Sequence, residues 1–298
     1  MRQQVSLLPD GRRLHLQDGP IDLVIEAFGP SAEVQAAYHA AILRFQTVLD
    51  ELCSELSLLR MPGGPDTPMP TGTIATRMAT AVAPYAERIF ITPMAAVAGA
   101  VAEEILEAMT SRAKLSKAYV NDGGDIALDL APGERFVVGM IDRPDRPSLF
   151  GTATLDSSDA VGGMATSGWR GRSFSLGIAD AVTVLARRAA MADAAATVIA
   201  NAVDLPGHPK IHRVPARSIS PDSDLGDRPV TKLVEELSAE DIRCALDQGA
   251  AVSEHVRSEG LIHSAALLLQ GETRIVTTNA LISSVAGCRE RSRSLAHA

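Results

Sequence analysis

A pair of glycines between two aspartates is the first feature of the sequence that could take part in chemistry. The stretch "NDGGDIAL", Asn121 to Leu128, begins where the strand-like run "KAYVN" ends. Glycine lets a ligand or another backbone approach closely, and a flanking carboxylate such as Asp125 can accept from a ribose or a ring donor. Asp-Gly-Gly is also ordinary hairpin-turn chemistry. Taken alone, the pattern favours the turn.

A carboxylate and a hydroxyl lie four residues apart in "MADAAAT". Asp193 and Thr197 fall in an Ala-rich run predicted as a helix from Arg187 to Ala202, so they face the same side, with Asn201 one turn further on. Hard oxygen ligands suit Mg²⁺, which commonly keeps water or phosphate oxygens as well. Asp193 could instead cap the helix or point into solvent, and spacing alone favours these plainer roles.

The only Trp of the chain lies in a third candidate stretch, "MATSGWRGRS", residues 164–173. Hydroxyls, unhindered main-chain N–H groups and two guanidinium groups together suit a phosphate. The residues that offer them are Thr166, Ser167, Gly168, Arg170, Gly171 and Arg172. Trp169 could stack on a ring or pack over a sheet edge. A surface turn with solvated arginines fits the sequence equally well, so both interpretations stay open here.

The remaining titratable residues form no recognisable site. His208 and His212 share the loop "PGHPKIH" without a third ligand nearby, which favours two exposed loop histidines over a metal site. The three cysteines are odd in number and far apart, so neither a disulfide framework nor a thiolate zinc site is indicated: Cys53, Cys244 and Cys288. The sequence contains no GxSxG, Walker or HExxH motif.

Short strands and Ala-rich helices must position these residues. Turn signals at Asp10-Gly11 and Asp18-Gly19-Pro20 divide residues 5–28 into two or three antiparallel strands. Further strands are predicted at 117–121, 125–130, 135–141, 149–155, 164–167 and 181–185, with a Pro-rich break at 144–147 and a hairpin of 261–269 with 273–279 turned at Gln270-Gly271.

Helices are predicted where apolar residues recur at helical spacing. One runs from a Ser31 cap to Leu59, with an apolar stripe of Ala37, Ala41, Leu43, Val48, Leu52 and Leu56. A second helix is predicted to begin at Thr92-Pro93, and two more to cover residues 187–202 and 239–257. Residues 61–72 are predicted to form a mobile lid, and residues 205–230 an irregular excursion. Because no strict βαβ rhythm appears, we expect an α+β fold with mixed or antiparallel sheets and packed Ala-rich helices.

Composition restricts the class of partner. Hydrophobic residues make up 46% and charged residues 21% of 298 residues, as in ordinary globular proteins. A net charge of −8 and a pI near 5.4 argue against duplex nucleic acid or an anionic membrane as the main partner. A small anionic ligand bound at a local basic site is compatible with them. The N-terminus lacks a signal-peptide core, and the longest apolar stretch, Met94 to Ala102, ends at Glu103. These features predict a cytoplasmic protein that does not cross a membrane.

In their order along the chain, the motifs resemble those of the ApbE-like superfamily, which includes the FAD:protein FMN transferases. The matching text is "TPMAAVAGAVAEE", "YVNDGGDIAL", "MATSGWRGRSFSLGIADAVTVLA" and "MADAAATVIANAV", within residues 90–204. The resemblance implies an ApbE-like fold, with Mg²⁺ held by Asp193, Thr197 and a main-chain carbonyl at Ala98 or Gly99. It also implies a flavin nucleotide, FAD or FMN, beside Gly123, Gly124 and Asp125. Bound Mg²⁺ would polarise the pyrophosphate of FAD for cleavage into FMN and AMP.

Two departures from the family pattern concern the chemistry. The transferases carry a histidine in "H-x-I-x-D-P-x-T-G" after the A-T-S-G strand, whereas this chain reads "GRSFSLGIADAV" there, and Ala98-Gly99 replaces a Lys-Gly pair. Ser173, Ser175 and Asp180 lie in the segment where the base is missing. The resemblance therefore indicates a branch that retains the fold and the metal pair but not the transferase base.

Three functions follow as hypotheses for one unit of two interleaved α+β halves over residues 1–298. The first is a Mg²⁺-dependent flavin transferase or FAD pyrophosphatase. The second is a hydrolase of another small nucleotide or heterocycle on the same scaffold, and the third is a flavin-binding protein without catalysis. In each case we expect a small anionic nucleotide-like ligand, and the Ala-rich surfaces suggest a homodimer.

Overall fold

The computed structural model describes residues 3–141, 149–277 and 282–284. Its strands are β1 (Gln4–Leu7), β2 (Leu14–Asp18), β3 (Ile21–Phe28), β4 (Lys117–Asp122), β5 (Asp125–Leu130), β6 (Arg135–Ile141), β7 (Leu149–Asp156), β8 (Gly163–Ser167), β9 (Ala181–Ala186), β10 (Ile211–Pro215), β11 (Pro229–Val234), β12 (Ser264–Leu269), β13 (Glu272–Thr277) and β14 (Ile282–Ser284). The helices are α1 (Ser31–Ser54), α2 (Leu56–Leu59), α3 (Thr73–Ala86), α4 (Val97–Thr110), α5 (Ala189–Ala202), α6 (Ala216–Ile219) and α7 (Ala239–Ser258), with 3₁₀ turns at Pro93–Ala96 and Ser157–Asp159.

One nine-stranded sheet organises the molecule. Its strand order is β1-β2-β3-β4-β5-β8-β9-β12-β13, and every neighbouring pair is antiparallel. Helices α1, α4, α5 and α7 pack along one face, and α3 packs outside them on α4 and α5. A three-stranded sheet, β14-β7-β6, and a smaller apolar cluster lie on the other side. The expected α+β class with antiparallel sheets is confirmed.

The burial pattern of the strands follows from this layering. In β4 every second residue is buried, because one face of the strand packs on the helix layer. Asp122 falls on that buried face together with Ala118 and Val120. In β9 and β12 all residues are buried, since both faces of the sheet are covered at its centre. A charged group has thus been placed at the end of an otherwise apolar strand face.

The first long helix differs from its prediction in three respects. It ends at Ser54 and is followed by the short α2, and its N-cap residue is Pro30, so the predicted Ser31 cap is wrong. Leu43 is 51% exposed, and the buried position on that turn is Phe45. The buried stripe steps through 37, 41, 45, 48 and 52 at helical spacing, and residue 43 lies on the opposite side of the helix.

Several further elements were not predicted. Helix α3 contains Pro84 and several β-branched threonines, which are poor helix formers, but it buries Ile74, Met78 and Val82 against the core. The stretch 205–230, expected to be irregular, contains β10 and α6 and the start of β11, which pairs with β10. Packing against the rest of the fold stabilises these elements more than their local sequence does.

Other expected elements are confirmed. Helices α5 and α7 and the hairpin of β12 with β13 lie where the patterns predict, with Gln270 and Gly271 in the turn at positive φ. At Thr92-Pro93 the chain first forms the 3₁₀ turn, and the Thr92 hydroxyl donates to Asp224 rather than capping the helix. Residues 144–147 and 278–279, which also carried predictions, lie outside the described residues. None of the helices within the described ranges is long and apolar enough to cross a membrane.

Candidate functional site

The two glycines of the first motif form the hairpin turn between β4 and β5. Gly123 and Gly124 have φ values of +65° and +118°, a region that other residues rarely adopt. The Gly124 N–H donates to the Asn121 side-chain oxygen at 2.8 Å, while Asp122 and Asp125 pair across the turn. The hairpin interpretation is confirmed, and the turn holds its two carboxylates at the end of the strand pair.

The third candidate stretch, residues 164–173, meets this turn through the strand β8. The Thr166 N–H donates to Oδ1 of Asp125 at 3.2 Å, and the Thr166 hydroxyl lies 2.9 Å from that of Thr183 on β9. Ser167 ends β8, and Gly168 follows where the chain passes over the backbone of Asp180. A Cβ at Gly168 would lie 2.5 Å from the Asp180 carbonyl oxygen. The strand end thereby fixes the position of the Asp125 carboxylate.

Asp193 reaches the start of a different helix. Its Oδ2 accepts from the Gly99 N–H at 3.0 Å, so a carboxylate from α5 lies at the N-terminus of α4, beside Ala98. A Cβ at Gly99 would lie 2.4 Å from the Ala189 carbonyl oxygen, which only glycine avoids. The small-residue helix start allows α4 and α5 to approach backbone to backbone. Asp193 does not cap its own helix.

Three carboxylates in this region have raised pKa values. Burial raises the pKa of Asp122, which is 7% exposed, to about 7. Burial also raises the pKa of Asp193 to about 7, partly opposed by the Gly99 N–H. The pKa of Asp125 is raised well above its ordinary value by burial, and the charges of Asp193 and Asp122 add to the effect. Carboxylates that repel one another in a desolvated place favour a bound cation.

The two arginines of the loop have different surroundings. Arg172 lies beside the glycine turn, 3.3 Å from where a Gly123 Cβ would be, and its charge opposes the raised pKa values of Asp122 and Asp125. Arg170 lies elsewhere: its Nε donates to Asp180 Oδ1 at 2.6 Å, and its guanidinium is 4.3 Å from the Trp169 ring centre.

Trp169 packs against the main core. Its indole N–H donates to Asp180 at 3.2 Å, and its main-chain N–H donates to the Ala179 carbonyl. Trp169 is therefore held by core packing and hydrogen bonds, with Arg170 covering the ring.

The donors around Asp193 fit a hard cation in chemical type. Asp193 and Thr197 lie one turn apart on α5, and both are half-buried. Within the described residues, no three His, Cys, Asp or Glu side chains converge as a metal-binding group. A Mg²⁺ ion here would therefore need the Thr197 hydroxyl, a main-chain carbonyl and oxygens from a ligand, which is the mixed coordination that Mg²⁺ commonly adopts.

The residues suggested as replacements for the family histidine include two with other roles. Asp180 accepts through both oxygens, from Trp169 and Arg170 on Oδ1 and from the Gln270 N–H on Oδ2 at 2.6 Å. Ser175 is buried, and its hydroxyl donates to Asn201 at 3.1 Å. Both side chains hold the backbone together. Ser173 is exposed on the loop.

Asp122 and Thr183 belong to the site although the motifs do not single them out. Asp122 flanks the glycine pair, and the alternation Ala118, Val120, Asp122 in β4 indicates that it shares the buried face. Nothing in the local sequence shows that the Thr183 hydroxyl faces Thr166 across β8 and β9. The first residue could have been found from period-two spacing, and the second required the strand pairing.

Comparison with known proteins gives matches of two kinds. The model of the family described as AbpE bacteria matches residues 5–275. A UPF0280 protein of Methanopyrus kandleri is 40% identical over 127 residues, 43% of this chain and 49% of that protein. One from Methanosphaerula palustris is 36% identical over 182 residues, 58% of this chain and 70% of that protein. The match to the Methanopyrus kandleri protein thus spans about half of its length.

Solved structures are similar over most of their length but superpose loosely. The apo flavinyl transferase ApbE of Pseudomonas stutzeri is 13% identical and aligns over 97% of this chain and 95% of that one, with a TM-score of 0.40. The flavin transferase ApbE of Vibrio cholerae is 12% identical over 94% of this chain and 98% of that one, with a TM-score of 0.35.

Proposed function

Because the chain belongs to the family described as AbpE bacteria, we propose that it is a Mg²⁺-dependent flavin-nucleotide-binding protein that cleaves FAD to FMN and AMP. One feature of the geometry carries the proposal: Asp125 is held by the Thr166 N–H at the glycine turn and Asp193 by the Gly99 N–H at the start of α4, and the charge of Asp193 adds to the effect of burial on the pKa of Asp125, with Arg172 opposing it in part. A divalent cation with an anionic ligand would balance that charge.

Asp193 and Thr197 would hold Mg²⁺ together with the main-chain carbonyl of Ala98 or Gly99. When bound, the ion would supply Lewis-acid stabilisation of the charge that develops on the pyrophosphate. Thr166 keeps Asp125 in place through its N–H at 3.2 Å. A carboxylate held in place in this way needs no rearrangement when the ligand binds.

The nucleotide would bind over the glycine turn. Gly123 and Gly124 leave its backbone open to close approach, and Ser167 and Gly168 lie at the end of β8, the strand that holds Asp125. Arg172 is the guanidinium beside this turn and would bind a phosphate oxygen. Arg170, which is paired with Asp180, would act by holding the loop in place.

Cleavage requires that water attack one phosphorus while the P–O–P bridge breaks, releasing FMN and AMP. Asp122 is the group suited to accept the proton of that water near neutral pH, because burial raises its pKa to about 7. Flavin binding without catalysis is the second candidate. It is favoured by one observation: Ser175 and Asp180, in the segment that lacks the histidine, are occupied by structural hydrogen bonds.

The test is to incubate the purified protein with FAD and Mg²⁺ and to measure FAD binding, FMN and AMP. We expect both products, with their formation abolished by EDTA and reduced at least 100-fold by Asp193→Asn, which keeps an acceptor for the Gly99 N–H. Asp129→Asn, an exposed carboxylate on β5, is the matched control. FAD binding without products would support the second candidate. FAD binding that neither EDTA nor Asp193→Asn changes would refute the proposed role of Mg²⁺ at Asp193.

The cellular context belongs to the same proposal. We expect a cytoplasmic homodimer that acts on a small nucleotide and not on nucleic acid, in keeping with the net charge of −8.

A further inference from the structure

A separate pocket of about 460 Å³ lies between helices α3, α4 and α5, and its size is in the range of small-molecule sites. Asp125, Asp193 and the glycine turn are not among the residues that line it. Apolar side chains form most of its wall, among them Ala81, Pro84, Met191 and Leu261, together with the ring of Tyr85. The wall is suited to an apolar body.

Two guanidinium groups line one part of the pocket in fixed positions. Arg188 Nε lies 2.7 Å from Glu103 Oε1, and its Nη2 lies 2.8 Å from Glu107 Oε1. Arg77 contacts the same two glutamates at 3.3 and 2.7 Å. Glu103 is buried, and its other oxygen accepts from the Ala190 N–H at the start of α5.

These charges are paired within the protein, since Arg77 also contacts Glu104 at 3.3 Å. The glutamates neutralise the arginines and the arginines neutralise the glutamates, so a charged ligand of either sign would find no free partner of opposite charge there. Guanidinium planes held in this way can stack on a heterocycle or donate to a carbonyl oxygen. The ligand that fits is therefore uncharged.

The hydroxyls on the α3 side of the pocket specify the ligand further. Thr80 Oγ1 donates its proton to the Thr76 carbonyl at 2.7 Å, and Thr76 Oγ1 donates to the Pro70 carbonyl at 2.9 Å. With both protons used inside the protein, these oxygens can offer only acceptor lone pairs to a ligand. The complementary group on the ligand is an N–H donor.

We infer that this pocket is a second binding site, for an uncharged planar heteroaromatic molecule with ring N–H donors and carbonyl acceptors along one edge. The apolar part of the ring system packs on the aliphatic wall, the N–H groups donate to Thr76 and Thr80, and the carbonyls accept from Arg188. The inference does not depend on the proposed FAD cleavage, because no residue assigned to that reaction lines the pocket.

The probe for this site is lumichrome, a fluorescent tricycle with two ring N–H groups and two carbonyls that is neutral at pH 7, titrated by fluorescence anisotropy at that pH. Acridine, a tricycle without N–H donors and neutral at that pH, is the comparison probe. Thr80→Trp fills the pocket from an exposed position of α3, and Ala83→Trp places the same ring on an exposed position of that helix outside the pocket. Thr80→Val keeps the volume and removes the acceptor.

We expect saturable lumichrome binding that Thr80→Trp abolishes and that Ala83→Trp leaves unchanged. Thr80→Val should weaken lumichrome roughly tenfold, the equivalent of one hydrogen bond, and leave acridine unaffected. Because Val has nearly the same side-chain volume as Thr, Thr80→Val should fold normally and keeps the test decisive even if Thr80→Trp unfolds. EDTA and Asp193→Asn should change neither titration, whatever the outcome with FAD. Absence of saturable lumichrome binding, or binding lost in Asp193→Asn but retained in both Thr80 variants, would overturn the inference.

Discussion

Asp122→Asn should stabilise the protein at pH 8 while it impairs the proposed chemistry. The carboxylate is 7% exposed at the end of β4, and its recorded hydrogen bond, from the Asp22 N–H, is long at 3.5 Å. Above its pKa the side chain keeps a charge that water no longer solvates well. Replacing it with the neutral isostere removes that cost, so Asp122→Asn should increase the free energy of unfolding at pH values where the aspartate is ionised.

The magnitude follows from the raised pKa. A rise from 3.8 to about 7 corresponds to on the order of 4 kcal/mol of differential stability between low and high pH. The attraction of Arg172 for the charge is lost in the variant, and the new amide N–H₂ needs partners. A net gain of about 1–3 kcal/mol at pH 8 is therefore the expected result.

The direction of the Asp122 pKa shift fixes the sign with which stability depends on pH. A carboxyl whose pKa is raised by folding binds its proton more tightly in the folded state, so its favourable contribution is complete below about pH 4. It is lost as the pH rises towards 7. The wild-type protein should lose stability over this interval, and Asp122→Asn should lose less. At pH 4 or below the two proteins should differ little.

The assay is urea unfolding followed by circular dichroism at pH 4, 6 and 8, with Asp129→Asn as an exposed carboxylate on the neighbouring strand. Asp129→Asn should show no pH-dependent gain. If Asp122→Asn destabilises the protein equally at all three values, then burial does not raise the pKa of Asp122 and its assignment as the proton acceptor fails with it. In the FAD assay the variant should bind FAD but form products at least tenfold more slowly.

Further outcomes can be checked by the same unfolding and binding measurements. Gly99→Ala should cost about 1–3 kcal/mol and weaken Mg²⁺ binding, because its Cβ would lie 2.4 Å from the Ala189 carbonyl oxygen; unchanged stability would mean that the helices can separate freely. Arg170→Ala should cost about 3 kcal/mol, since Asp180 would lose a 2.6 Å partner while 9% exposed. Arg172→Ala should leave stability within about 0.5 kcal/mol but weaken FAD binding at least tenfold, and the reverse pattern would exchange the roles of the two arginines. Ser238→Ala should cost about 1 kcal/mol through loss of the cap of α7, where Ser238 Oγ accepts from the Asp241 N–H.

Local sequence was sufficient for elements whose signals lie within a few residues. The glycine turn after β4, the hairpin at Gln270-Gly271 and the Ala-rich helix α5 all follow from turn chemistry and helical spacing. The order of the motifs along the chain also indicated the family, which the match over residues 5–275 confirms. Helix α3 could not be predicted from its own sequence, because Pro84 and the threonines are poor helix formers and tertiary contacts stabilise the helix.

Residue types and their spacing therefore indicate which groups can do chemistry, whereas the packing of the chain sets which of these groups lie together. Arg170 and Arg172 are equivalent in sequence, but Asp180 binds the first, and the Gln270 N–H from a distant hairpin holds the other oxygen of that carboxylate. The raised pKa values of Asp122, Asp125 and Asp193 arise because strands and helices from distant parts of the chain exclude water around them. Burial and charge proximity are properties of the packed chain, and no spacing rule within a single segment contains them.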